Sequence, residues 1–64
     1  MDQLLTLLAR SGGWIEAWYP LSSGTFECRL RFGAGIIHTA WAINDSSVQA
    51  FREALVKAEV LVEP

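Results

Sequence analysis

The eight residues "TFECRLRF", 25 to 32, constrain this chain more than any other stretch. Phe26, Cys28, Leu30 and Phe32 alternate without exception with Thr25, Glu27, Arg29 and Arg31. Successive side chains of a strand point to opposite sides, so this period of two predicts a half-buried strand with one apolar and one charged face. A helix would mix the two sets. The chain must therefore fold around a sheet with one side in the core, and the remaining residues must supply its neighbours and its cover.

The flanking segments read accordingly. Leu4, Leu5, Leu7 and Leu8 recur at helical spacing, predicting a short amphipathic helix over residues 2 to 10, with Asp2 at its positive end and Arg10 at the other. Ser11, Gly12 and Gly13 end it. Residues 14 to 19 predict a first strand, stopped by Pro20 and the turn-rich "PLSSG". After "TFECRLRF", the glycines of "GAG" suit a tight hairpin, and "IIHTAWAI", residues 36 to 43, predicts a third strand. Ser46 with Gln49 fits a capping box opening a second helix, whose apolar stripe is Val48, Phe51, Leu55 and Ala58. The closing "VLVEP" is either a fraying end or a short extended tail. The expected fold is a single α+β domain over residues 1 to 64. It is a two-layer αβββα sandwich with a three-stranded antiparallel meander and both helices on one face of the sheet.

That arrangement leaves one sheet face uncovered, and strand parity decides what it carries. In "GGWIEAWYPL", Trp14, Glu16 and Trp18 share a side if the strand is regular. Burying an unpaired carboxylate costs several kcal/mol, about the gain from burying one or two large apolar side chains. This places Glu16 outside, and Trp14 and Trp18 with it; if the "PLSSG" loop sets the other parity, the tryptophans are core. In the third strand, a two-residue turn opposing Phe32 to Gly35 turns Ile37, Thr39, Trp41 and Ile43 inward and leaves His38 outside near Arg29 and Arg31. The candidate protein-binding residues are therefore Trp14, Glu16, Trp18, Arg29, Arg31 and His38, a set rich in the tryptophan and arginine that dominate interface energetics.

Other classes of function find less support. Cys28 is the only cysteine and His38 the only histidine, too few for a disulfide or a structural zinc site. Cys28 also alternates with Phe26 and Leu30, as a small core residue does. No nucleophile, base or metal motif surrounds His38, so neither catalysis nor a cofactor is expected. The opening "MDQLLTLLAR" lacks the positive charge of a secretion signal, and no run is long enough to span a bilayer. With its lone thiol, the chain is expected to be cytoplasmic. Five basic against seven acidic residues, net −2, argue against a general phosphate-binding surface.

The order helix, three strands, helix is similar to that of double-stranded RNA-binding domains. Those domains place a lysine-rich cluster at the start of the second helix, where this chain has Asn44, Asp45, Ser46 and Ser47. The resemblance thus implies the architecture and not the RNA-binding activity. At 52% hydrophobic and 19% charged residues, a domain this small buries only about 60% of its unfolded surface and is expected to lean on a partner. The expectation is a non-enzymatic module docking on a larger protein, of the kind phages and mobile elements use to inhibit host proteins. The alternatives are a nucleic-acid binder stacking bases on Trp14 and Trp18, with Arg29 and Arg31 on phosphates, or a structural homodimer.

Overall fold

The computed structural model describes residues 2–33 and 38–61. Five elements follow in order: α1 (Asp2–Arg10), β1 (Gly13–Pro20), β2 (Phe26–Phe32), β3 (His38–Asn44) and α2 (Ser47–Lys57). The expected αβββα order holds, and the three strands form one antiparallel sheet in the order β1-β2-β3.

The helices stop and start as local chemistry dictates. At the end of α1, Gly12 takes a left-handed φ of 74°, and Ser11 Oγ donates to the Leu7 carbonyl at 2.9 Å. Ser46 caps α2, its hydroxyl accepting from Gln49 N at 3.4 Å, while Asn44 Oδ1 accepts from Ser46 N at 3.0 Å. The far end of α2 closes in a Schellman motif, with Val60 N donating to Leu55 O and Glu59 N to Val56 O. Its left-handed residue is Glu59, at φ 62°, where glycine is the usual occupant. The turn folds Val60 and Leu61 back against the core.

The core lies on the Cys28 and Leu30 side of the sheet. Its fully buried members are Cys28 and Leu30 of β2, Ala42 of β3, and Ala50, Phe51, Ala54 and Leu55 of α2, joined by Leu8 of α1 and by Phe32. Two expectations fail here. Val48 is not in the stripe of α2 but 43% exposed; Ala50 and Ala54 take the helix-to-sheet contact, because small side chains let α2 approach the sheet closely. The faces of β3 are also opposite to those expected. Phe32 pairs with His38, not with Gly35, which sets Ala40 beside Leu30 and Ala42 beside Cys28. Trp41 and Ile43, expected inside, are 50% and 43% exposed. Bulk is a poor guide where a helix packs directly on a strand, since the alanines are what fit beneath it. The proposed two-residue turn and Ile37 lie partly or wholly outside the described residues.

β1 contains the decisive irregularity. Ile15 pairs with Leu30 and Ala17 with Arg29, so Glu16 is an extra residue, a β-bulge. The bulge reverses the phase of the strand: Trp14 stands opposite Arg31 on the uncovered face, and Trp18 stands opposite Cys28 on the core face. Trp18 then ties the sheet to α2. Its indole Nε1 donates to Ser47 O at 3.0 Å, and its ring lies 5.2 Å from that of Phe51, tilted by 45°. At the start of β1, Gly13 has no room for a side chain, since a Cβ there would come within 2.5 Å of Phe32 Cε2 and 2.6 Å of Leu8 Cδ1. This close approach seats α1 against the sheet.

Two glycine exchanges should shift thermal unfolding in opposite directions. Gly13→Ala drives a methyl into Phe32 and Leu8 and should cost about 1–3 kcal/mol. Glu59→Gly relieves a left-handed backbone and should gain about 1 kcal/mol, raising Tm by roughly 4–8 °C in a domain this small.

Candidate functional site: the uncovered sheet face

With the register fixed, the uncovered face resolves into three cross-strand rows. Trp14, Arg31 and Thr39 form the first; Ala17, Arg29 and Trp41 the second; Tyr19, Glu27 and Ile43 the third. The bulged Glu16 reaches the same side, with Oε2 3.4 Å from Arg31 Nε. Four large apolar groups are therefore exposed around a charged centre: Trp14 at 45%, Tyr19 at 39%, Trp41 at 50% and Ile43 at 43%.

The charges at the centre satisfy one another. Arg29 and Glu27, two apart on β2, share its outer side, and Arg29 Nη2 donates to Glu27 Oε2 at 2.6 Å. Glu27 is only 8% exposed although it faces away from the core, between Tyr19 and Ile43 across the strands and beside Arg29. The neighbouring Glu27 carboxylate also holds the Tyr19 phenol above its ordinary 10.0. Arg31 is held less well. Its Nε–H is shut off from solvent, and Glu16 lies at a distance and angle that give an ion pair but no hydrogen bond. Two glutamates against two arginines leave the centre of the face with no net charge.

The edge of β3 adds one link around the sheet. The Lys57 ammonium of α2 lies 5.4 Å from the centroid of the Trp41 ring. A pinned indole loses less freedom on binding than a free one.

Of the six residues expected at the site, Trp14, Glu16, Arg29 and Arg31 do lie together on this face. Trp18 does not: the bulge turns it to the core side, where it is partly buried against the core. His38 does not either, since it opposes Phe32 and not Arg31, and it sits, exposed, beside a groove near Lys57 and Glu59. Sequence reasoning missed Tyr19, Trp41 and Ile43. For Tyr19 the available signal was parity: with Trp18 inward, its neighbour must point out. For Trp41 and Ile43 it was the paired alanines, Ala40 and Ala42, at alternating positions opposite an alanine-bearing helix.

Cys28 is wholly buried, and burial pushes its thiol up to about 11, so it packs as a small apolar side chain. Among the described residues no cluster of His, Cys, Asp and Glu could hold a metal ion, and no helix is long and apolar enough to cross a membrane.

The phenol of Tyr19, the only tyrosine, reports on this cluster. Its phenolate absorbance should titrate with a midpoint above 10.0, and Glu27→Gln should bring the midpoint back toward that value. Because the folded value is raised, the contact stabilises the fold below pH 10 and is lost as the pH rises through the folded midpoint. An unshifted midpoint in the parent protein would remove the Tyr19–Glu27 contact from the face.

Comparison with protein-family models, with curated proteins and with solved structures finds no match for this chain, so the functional reading rests on the geometry of the face itself.

Proposed function

We propose that the protein is a non-enzymatic docking module that binds a protein partner through the uncovered sheet face. The observation that carries this reading is the surrounding of an internally neutralised charge cluster by four half-exposed large apolar groups, Trp14, Tyr19, Trp41 and Ile43. Such a surface resembles an interface: aromatic anchors flank polar groups whose hydrogen bonds and ion pairs are already largely made, so covering them leaves few groups newly unpaired. Four large side chains on one face of a 64-residue chain also exceed what scattered surface hydrophobics require.

The same charge pattern weighs against the nucleic-acid alternative. Arg29 and Arg31 would have to leave Glu27 and Glu16 before neutralising phosphate, and the exposed Glu16 would stand beside the strand. A protein partner with an apolar, weakly charged patch is the better complement. The reading includes action in the cytoplasm, where the lone Cys28 remains a thiol, and the role of an inhibitor or adaptor, in keeping with a small chain that offers a surface and no reactive group.

The test is affinity capture from native-host extract with the parent protein, the Trp14→Ala/Tyr19→Ala double variant, and Leu5→Ala as a control on the exposed side of α1. Loss of one anchor at an interface centre costs 2 kcal/mol or more, about 30-fold in affinity. The partner held by the parent and by Leu5→Ala should therefore be lost from the double variant. Equal retention by all three would place the binding surface elsewhere.

A further inference from the structure

The two edges of the sheet are built differently, and the difference indicates what one of them is for. β1 is blunted as natural edges usually are: Glu16 interrupts the ladder with a bulge, and Pro20 offers no N–H. β3 carries none of these devices. Its seven residues, "HTAWAIN", contain no proline, no glycine, no lysine and no carboxylate, and they pair with β2 without a break in register. Among the described residues nothing pairs with its outer side. An unbroken edge of this length, with no carboxylate, lysine or arginine of its own, is a template for another strand.

We propose that β3 pairs antiparallel with β3 of a second copy of this chain, across a two-fold axis at Trp41, making one continuous six-stranded sheet. The strand is complementary to itself in that register. Trp41 meets its own counterpart, Ala40 meets Ala42 of the second copy beneath the helices, Thr39 meets Ile43 on the uncovered side, and His38 stands opposite Asn44, whose amide is already held by Glu53 and Ser46 N. Every residue of β3 faces a neighbour and no two ionised side chains of β3 itself are opposed; the charge nearest the axis is the Lys57 ammonium of α2, 5.4 Å from each Trp41 ring. Residues facing each other across a two-fold must tolerate their own image, and the lack of any ionised carboxylate, lysine or arginine on β3 meets that condition. The β1 edge fails it, because two copies would bring the Glu16 bulges and Pro20 into the ladder. The charges nearest β3, Lys57 beside Trp41 and Glu53 on Asn44, belong to α2 and are already engaged there, so the strand itself offers a charged occupant nothing to pair with. The assembly shares Trp41 and Ile43 with the docking face and leaves Trp14 and Tyr19, at the far side of the sheet, free to bind, so the Trp14/Tyr19 capture test and the Trp41 mass test fail separately.

Sedimentation equilibrium of the full chain tests the pairing. At hundreds of micromolar the parent should have twice the mass of the chain and dissociate on dilution, whereas Trp41→Lys should be monomeric with an unchanged circular dichroism spectrum and Trp14→Lys should remain dimeric. A second variant fixes the register: on mild oxidation Trp41→Cys should become a disulfide-linked dimer, and Trp14→Cys should not, Cys28 being buried in both. A monomeric parent at that concentration overturns the proposal. So does a Trp41→Lys protein that still dimerises, or a Trp14→Cys protein that cross-links as readily as Trp41→Cys.

Discussion

The structure depends on how one strand reconciles a carboxylate with two indoles. In a regular β1, Glu16 and Trp18 would lie on the same side, so that the chain would either bury the charge or forgo its largest core side chain. The bulge at Glu16 removes the choice: one extra residue sends Trp18 to α2 and leaves Glu16 and Trp14 outside. Trp18 then bridges β1 and the first turn of α2 through its hydrogen bond to Ser47 O and its packing on Phe51. Without it, β1 would keep the close approach of Gly13 to Leu8 of α1 and the packing of Ile15 on the core.

The same device shapes the surface. Because Trp14 and Glu16 are outside, Arg31 has an acidic neighbour and the uncovered face has an aromatic corner. On the opposite edge, close packing of α2 over Ala40 and Ala42 forces Trp41 and Ile43 outward. The apolar character of the uncovered face is thus a by-product of which side chains the core can accept. A domain this small, with roughly 3–10 kcal/mol of stability to draw on, can maintain such a face only while its core is filled by the residues that fit it.

Much of the fold was legible in the sequence, since it rests on local signals. The alternation in "TFECRLRF" identified β2 and its buried set, the leucine spacing and Gly12 identified α1, and Ser46 marked the start of α2. The faces of the outer strands were not legible, because they depend on register. In β1 the reasoning was sound that Glu16 faces water, but it carried Trp18 along by assuming an unbroken period of two. In β3, bulk stood in for burial, and the proximity of α2, a tertiary fact, reversed it. Arg29, Arg31 and Glu16 survive because charge placed them, and Trp14 because the period of two holds from 14 to 16; Trp18, carried outward by the same period, lies past the bulge, and His38 was placed by a register that β3 does not have.

The central claim is that Trp14 and Trp18, four residues apart, stand on opposite sides of one strand. Fluorescence of single-tryptophan variants tests it most directly. The protein with only Trp18 (Trp14→Phe, Trp41→Phe) should emit at shorter wavelength and resist an aqueous quencher, and the protein with only Trp14 (Trp18→Phe, Trp41→Phe) should emit at longer wavelength and be readily quenched while it remains folded by circular dichroism. Matching spectra and matching quenching in the two folded variants would mean that β1 runs without the bulge, and would contradict the account.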